Sequence, residues 1–514
     1  MKITKIMLVL LSAVLLALGV SGVGAQDDAT FRVGVNAPVQ LDPALGTNDP
    51  EVLFNRQIYD YLIDIDADGN LVPQLASEWT VREDGLTYTM ALAEGVTFSD
   101  GTPFTSADVV FSFERLQSLE SPALNLLGSF TVEADGDSTV VFTIEEPNAD
   151  FLFGVASRWS LILKDGAEDV NTLTDDLSNF VGTGPFVLTG YSEGESATFA
   201  ANENYWVEGE PMIASMEFIF IDEVQAQIDA IRGGQLDFIF KVPADRIAEL
   251  EDAGLEVRVE ATNLHPVIRL RSDEGALGED PRVMQALKLA TDRELLALDL
   301  FGDDVAIVGN NDPIGPKYGP FFEQIPDEYD PEAACALLAE AGLPDGIGAD
   351  EPLEFFVVDA FNYPDMGVLL QDQWAQTGCI NVEVLVRPEN VYYGDNEWID
   401  VTLGVTGWGD RPVAQQYLVE AYISDANPDN GGFNESRWSN ARVDELVAEA
   451  AVTADITARA EIYREIAAVF AEEGPIIVPF FAPTIGVLAE GVEGVSVHPF
   501  PGRTDLRQVT VGGM

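Results

Sequence analysis

A short loop, Thr406-Gly407-Trp408-Gly409-Asp410-Arg411, carries residue types suited to holding a small solute. Glycines at 407 and 409 let backbone groups approach a bound molecule, because glycine has no side chain. Trp408 offers a flat apolar wall, and Asp410 and Arg411 offer opposite charges. We therefore predict a ligand site at Gly407, Trp408, Gly409, Asp410 and Arg411. The alternative is a surface turn in which Asp410 and Arg411 pair with each other or with solvent.

The element that must position this loop is an apolar run at 399–405, which predicts a β-strand. Open α/β sheets place their ligands beyond the carboxyl ends of strands, and the loop follows such an end.

Catalytic and metal-binding patterns are weak in this chain. There is no HExxH motif and no cysteine near a histidine, and we expect no serine nucleophile elbow. His265 and His498 are the only histidines, so we expect neither a metal site nor a cofactor. A secreted hydrolase remains the alternative from another functional class, but with 88 acidic residues close carboxylate pairs arise by chance.

Cys335 and Cys379 are the only cysteines, and a sparse, even pair in an exported chain favours one disulfide over a redox or metal site. The bond would join the helix that follows Asp330 to the turn at Gly378. Two buried free thiols are the alternative.

The formal net charge of −62 argues against nucleic acid as a partner, because binding phosphates requires a basic face. An excess of this size is consistent with a saline habitat or with solubility through repulsion, and it does not identify a ligand.

The first 25 residues predict a cleaved signal peptide: Lys2 and Lys5, an apolar run at 6–20, and small residues up to Ala25. A membrane anchor is the alternative, but the apolar run is short and no basic cluster follows it. We expect an exported protein, periplasmic or extracellular, without a lipid-attachment cysteine.

The rest of the chain is too long for a single core, so at least two domains are expected. Two βαβ patterns, strand–helix–strand at 216–240 and again at 353–386, predict two α/β lobes. Residues 31–146 are richer in strands and predict a subdomain added to the first lobe. A capping-box pattern at Thr105-Ser106-Ala107-Asp108 predicts the start of a helix there.

Several motifs in order resemble the peptide/nickel-binding proteins of ABC importers, the extracellular solute-binding family 5. The most specific is Gly95-Val96-Thr97-Phe98-Ser99-Asp100-Gly101-Thr102-Pro103-Phe104-Thr105. The others lie at 41–43, 58–62, 68–76, 108–110, 182–186, 204–206, 233–237, 282–287 and 292–293, with Trp79.

The resemblance implies an α/β, two-lobed, periplasmic-binding-protein-like clamp of the type II or cluster C kind. Lobe I would span 26–262 and include the extra subdomain, lobe II would span 263–483, and 484–514 would return to lobe I. The ligand would lie between the lobes, and the partner would be the membrane permease of an ABC importer, with the binding protein a monomer.

Peptide is the ligand that the resemblance favours, with oligosaccharide as the alternative within the family. Asp410 matches the position of an aspartate that, in peptide-binding relatives, pairs with the α-ammonium group. The sequel Arg411-Pro412-Val413-Ala414 departs from the usual Asp-Pro. Two histidines disfavour nickel and haem.

Overall fold

The computed structural model describes residues 27–46, 48–167, 169–171, 177–303, 305–326, 328–394, 396–428 and 432–512. The predicted signal peptide, 1–25, lies outside the described residues. Within those ranges, no helix has both the length and the apolar character needed to cross a membrane.

The strands in chain order are β1 Asp27–Val35, β2 Ile63–Ile65, β3 Leu71–Pro73, β4 Ala76–Val81, β5 Thr87–Leu92, β6 Phe130–Ala134, β7 Thr139–Ile144, β8 Phe186–Ser192, β9 Ser196–Ala201, β10 Ile213–Phe220, β11 Phe238–Ile239, β12 Glu256–Glu260, β13 His265–Leu270, β14 Ile307–Val308, β15 Leu353–Val358, β16 Val382–Arg387, β17 Leu403–Trp408, β18 Ile476–Ile477, β19 Phe480–Phe481, β20 Thr484–Leu488, β21 Val492–Glu493 and β22 Thr510–Val511. The α-helices are α1 Asp49–Ile58, α2 Ser106–Ser118, α3 Leu124–Leu127, α4 Phe151–Val155, α5 Val224–Arg232, α6 Ile247–Asp252, α7 Pro281–Leu289, α8 Arg293–Phe301, α9 Pro331–Glu340, α10 Tyr363–Thr377, α11 Glu389–Tyr392, α12 Glu397–Asp400, α13 Ala414–Ala421, α14 Ala441–Val452 and α15 Ile456–Glu473.

Lobe I is built on a mixed sheet with the strand order β12-β20-β11-β1-β10-β9-β8. Strand β1 runs parallel to both β10 and β11, so the first predicted crossover, β10-α5-β11, passes over β1. Helix α5 buries Ile228 and Ile231 against this sheet, as the apolar spacing of the helix predicts.

A second, antiparallel sheet in lobe I has the order β4-β5-β7-β6 and its own apolar core, which includes Met90, Phe113 and Phe142. Helix α2 covers this core and begins with the predicted capping box, in which the Thr105 N–H donates to Asp108 at 2.8 Å. A separate sheet with a separate core accounts for the extra subdomain expected from the strand-rich sequence.

Lobe II is built on a sheet with the order β16-β15-β17-β13-β18, in which β15 is parallel to β16 and to β17. The second predicted crossover is therefore present as β15-α10-β16. The strand predicted at 399–405 is wrong in position, because α12 takes up Glu397–Asp400 and β17 runs over Leu403–Trp408. Trp398 of α12 is buried in the same core as the strand, and a short apolar run does not by itself distinguish helix from strand.

The chain crosses between the two lobes twice, between β12 and β13 and between β19 and β20. These crossing segments are hydrogen bonded to each other: the Ala482 N–H donates to the Leu264 carbonyl at 2.8 Å, and the Thr262 hydroxyl donates to the Ala482 carbonyl at 2.6 Å. The crossings fall where the resemblance puts the ends of the lobes, but the boundaries at 262/263 and 483/484, and a hinge at them, stay a prediction.

Away from the crossings, the lobes meet through a buried ion pair between Asp150, just before α4, and Arg459 of α15. The guanidinium donates to both carboxylate oxygens at 2.7 and 2.6 Å, and the two side chains are 7% and 6% exposed. Arg459 also lies 5.5 Å from the ring centroids of Phe321 and Tyr463, and the Ala149 N–H donates to the Ala451 carbonyl nearby. The interlobe contact at this place is thus mainly polar.

The structure contains the predicted disulfide between Cys335 of α9 and Cys379, which follows α10, with the two Cα atoms 5.7 Å apart. The bond fastens α9 to the end of the crossover helix of lobe II.

Replacing both cysteines with serine should lower the free energy of unfolding by up to about 4 kcal/mol, because the closed loop restricts the unfolded chain. Denaturant titration of the variant and the parent checks this value. In the parent, alkylation without reductant should add no label; two labelled thiols would contradict the disulfide.

Asp150→Asn keeps the side-chain shape but leaves the Arg459 charge buried without its partner, which should weaken this contact between the lobes by about 3–5 kcal/mol. We expect the ligand-free variant to open, seen as a larger radius of gyration in small-angle scattering. The control is Glu465→Gln, which breaks an exposed pair with Arg442 and should leave the radius unchanged. An unchanged radius for Asp150→Asn would show that this ion pair does not hold the lobes together.

Candidate functional site

A cavity of about 270 Å³ lies between the two lobes. Lobe II lines it with Asp410, Arg411, Pro412, Gln416 and Glu420. Lobe I lines it with Asp49, Val52, Ile65, Asn125, Ser157, Arg158, Trp159, Phe500, Gly502 and Arg503. Of the five predicted ligand residues, the structure brings Asp410 and Arg411 to this cavity.

The position of Asp410 follows from the local fold. Strand β17 ends at Trp408 and helix α13 begins at Ala414, so the residues between them form the loop at the carboxyl end of a central strand. This is the edge at which an α/β sheet presents ligand-binding loops, and here it faces lobe I.

Only one of the two carboxyl oxygens of Asp410 has a hydrogen-bond partner among the described residues. Its Oδ2 accepts a hydrogen bond from the Asn263 N–H at 3.2 Å, while its Oδ1 is buried and has no hydrogen-bond partner among the described residues. Burial raises the pKa of Asp410 to about 7. A buried acceptor without a donor is unfavourable, so a donor carrying positive charge would stabilise this group.

Arg411 does not pair with Asp410. Its guanidinium lies 3.2 Å from Glu420 on α13 and 5.8 Å from the ring centroids of Trp408 and Tyr417. The alternative in which Asp410 and Arg411 pair with each other is therefore not what the structure has. Because Glu420 is paired with Arg411, Asp410 is the acidic group available on the lobe II wall.

The other three predicted residues are not among those that line the cavity. A Cβ on Gly407 would lie 2.6 Å from the Tyr363 hydroxyl, so glycine is needed there for packing within lobe II. Trp408 is buried, 5.9 Å from the ring of Tyr417, and the Gly409 carbonyl accepts a hydrogen bond from the Tyr417 hydroxyl at 2.8 Å. In this geometry Gly407, Trp408 and Gly409 hold the loop that presents Asp410, and a direct ligand contact by them stays a prediction.

The sequence interpretation missed several residues of the cavity, among them Arg158, Trp159, Gln416 and Arg503. Two of these have buried polar atoms without a partner among the described residues, the Trp159 Nε1 and the Gln416 Oε1. Gln416 could have been found, because it lies on the first turn of the helix after Asp410. The residues of lobe I carry no local signal that would connect them to Asp410.

One sequence pattern needs correction. Gly190-Tyr191-Ser192-Glu193-Gly194 does match the G-x-S-x-G spacing, contrary to the expectation that no such pattern exists. Ser192 is exposed at the end of β8 and pairs with Ser196 of β9 in a hairpin. A nucleophile elbow requires a strand followed by a helix, so this stretch is a turn between antiparallel strands.

The described part of the chain contains no group of three or more histidine, cysteine or acidic side chains that could hold a metal ion. His265 and His498 are buried, and burial lowers the pKa of each to about 4. Both lie outside the lining of the cavity.

Comparison with known proteins gives consistent results. The family model of bacterial extracellular solute-binding proteins, family 5 (middle region), matches residues 70–430. Heme-binding protein A of Haemophilus influenzae is 27% identical over 513 residues, covering 90% of this chain and 89% of that protein. Di/tripeptide-binding protein 2 of Pseudomonas aeruginosa is 28% identical over 470 residues, covering 84% and 85%.

A solved structure, the ABC transporter substrate binding protein CtaP from Listeria monocytogenes, has the same fold. It aligns with a TM-score of 0.82 at 22% identity, covering 95% of this chain and all of that one. The family match spans well over half of this sequence, and the two-lobed fold agrees with it. The chain therefore belongs to the bacterial extracellular solute-binding proteins, family 5.

Proposed function

We propose that the protein is exported, captures a peptide in the interlobe cavity and delivers it to the permease of an ABC importer. The observation that carries this proposal is Asp410, a carboxyl group with an unpartnered buried oxygen at the lobe interface. The α-ammonium group of a peptide supplies both a positive charge and hydrogen-bond donors, which are the two things this carboxyl group lacks.

The relatives include a protein named for binding haem and a protein named for binding di- and tripeptides. Haem iron in proteins is usually held by an axial histidine, cysteine, methionine or tyrosine. None of these four residue types is among the described residues that line the cavity. The polar, charged lining of this cavity favours a peptide instead.

Capture works through closure of the lobes around the ligand. A ligand stabilises the closed state only to the extent that it binds that state more tightly, and a cavity lined from both lobes meets this condition. The permease would then recognise the closed form. We propose that the protein acts as a monomer in this cycle, without catalysing a reaction.

Native mass spectrometry of freshly purified protein tests the proposal directly, because it weighs whatever ligand copurifies. A mass matching a peptide supports it. An uncharged oligosaccharide would overturn the peptide assignment, and turnover of peptide or glycoside substrates would overturn the binding function in favour of a hydrolase.

Asp410→Asn keeps the shape of the side chain and removes its charge, so it should weaken peptide binding by about 2–5 kcal/mol, as is typical of a buried charge pair, which is a loss of more than tenfold. Calorimetry measures the affinity, and circular dichroism verifies the fold. Unchanged affinity for a verified peptide ligand would remove Asp410 from the site.

Peptide affinity should depend on pH in a defined direction. Asp410 has a pKa of about 7 without ligand, and a cationic ligand requires the ionised carboxylate, so affinity should fall about tenfold per pH unit below pH 7. Above about pH 8 the α-amino group of the peptide loses its proton and affinity should fall again. Calorimetry from pH 5 to 9 checks this, and Asp410→Asn should abolish the acid limb.

A further inference from the structure

A second cavity of about 270 Å³ is lined, among the described residues, by lobe II alone and shares no residue with the interlobe cavity. Helix α15 forms one wall with Arg464, Ala467 and Ala468. The segment after β14 forms the other wall with Asn310, Asp312, Ile314, Phe321, Phe322, Glu323 and Ile325. The capture of a peptide between the lobes makes no use of this cavity.

The walls of the second cavity are mainly apolar and are held in place. Phe321 and Phe322 are half-buried and Ile325 is exposed, so apolar surface remains to be covered. Asn310 fixes this wall, because its amide group donates to the Glu323 carbonyl at 2.8 Å and its Oδ1 accepts from the Ile325 N–H at 2.9 Å. The cavity is therefore suited to the apolar body of a small molecule, and two aromatic rings favour an aromatic one.

Asp312 supplies an unused hydrogen-bond acceptor to this cavity. The residue is 1% exposed, and its Oδ1 accepts from the Ile314 N–H at 2.9 Å. Its Oδ2 is buried and has no hydrogen-bond partner among the described residues. A buried acceptor without a donor is unfavourable, so a ligand that brings an O–H group to this oxygen would be stabilised there.

The charge of Asp312 is already compensated. The buried Lys288 and Arg293 act electrostatically on it, while the Lys288 ammonium donates to the Phe470 carbonyl at 2.6 Å and Arg293 donates to the Gly309 carbonyl. Burial raises the pKa of Asp312 to about 6, so at neutral pH the group is mainly an ionised acceptor. Because two cations already lie nearby, an uncharged donor suits this position better than an ammonium group.

Phe321 connects the second cavity with the contact between the lobes. Its ring centroid lies 4.7 Å from that of Tyr463 and 5.5 Å from the guanidinium carbon of Arg459, which pairs with Asp150 of lobe I. A molecule packed against Phe321 would hold the ring where it supports Arg459. Such a coupling acts with the same factor in both directions, so the ion pair would also favour the bound molecule.

We propose that this second cavity binds a small, uncharged aromatic alcohol, whose hydroxyl group donates to the Asp312 Oδ2 and whose ring packs against Phe321 and Phe322. The bound alcohol stabilises the ion pair between Asp150 and Arg459. It thereby favours the joined arrangement of the lobes from a place outside the peptide site.

Calorimetry with four probes that share a benzene ring tests the ligand class: 2-phenylethanol, its methyl ether, 2-phenylethylammonium and phenylacetate. We expect the alcohol to bind at least tenfold more tightly than the others, because the ether lacks the donor and the two ions bring a further charge. Equal binding of the alcohol and its ether would overturn the contact with Asp312. Tighter binding of either ion would overturn the uncharged class, and failure of the alcohol to bind would overturn the site.

Two variants test the place of binding. Asp312→Asn sets an amide donor where the unpartnered oxygen lies, so the alcohol and its ether should bind about equally. Ala468→Leu fills the cavity from α15 and should weaken binding of the alcohol at least tenfold, with the fold verified by circular dichroism. Ala448→Leu, exposed on α14 and outside the cavity lining, is the matched control and should change nothing. Unchanged affinity in Ala468→Leu would show that the alcohol binds elsewhere.

The coupling to the lobes has its own test, which does not depend on the peptide assignment. Asp150→Asn removes the ion pair and should weaken binding of 2-phenylethanol about fivefold, by the reciprocity of coupled sites. Glu445→Gln, which removes an exposed pair with Arg442, should leave the affinity unchanged. The parent affinity retained in Asp150→Asn would overturn the coupling.

Discussion

A charge that is withdrawn from water between two lobes must find an opposite charge, and this constraint shapes the whole interlobe region. Asp150 and Arg459 satisfy it for each other, and Arg411 and Glu420 satisfy it within lobe II. Asp410 differs from these pairs in having no ion-pair partner across the lobes, and one of its oxygens has no hydrogen-bond partner among the described residues. A ligand that supplies a positively charged donor to this oxygen would therefore stabilise the arrangement of the two lobes seen here.

The sequence predicted those features that depend on local patterns. The crossover units appear as β10-α5-β11 and β15-α10-β16, the disulfide joins Cys335 to Cys379, and Asp410 lies at the lobe interface. Each of these depends on residues close together in sequence, or on there being only two cysteines to pair. The start of β17 was predicted too early for a local reason, because apolar residues of α12 enter the same core as those of the strand.

The remainder of the site could not be predicted, because it depends on which residues of two different sheets face each other after folding. Arg158 and Trp159 follow α4 in the subdomain, and Arg503 lies near the end of the chain, so no spacing rule connects them to Asp410. The ligand contact predicted for Trp408 stays a prediction, although the side chain has a packing role that the sequence did not reveal. A large aromatic residue next to glycine suits a ligand wall. In this structure Trp408 is buried in the interior of lobe II, where it packs against Tyr417.

The two crossing segments, joined through Thr262, Leu264 and Ala482, restrict how one lobe can move relative to the other. A single strand would allow twisting about its own length as well as bending, whereas two linked strands resist the twist and retain the bend. With the predicted hinge at these segments, the motion would reduce to rotation about a single axis, and the cavity would be the gap that opens and shuts. Ligands that differ in side chains would all bring the lobes to the same final orientation, so a membrane receptor could recognise the loaded state without sensing which ligand is inside.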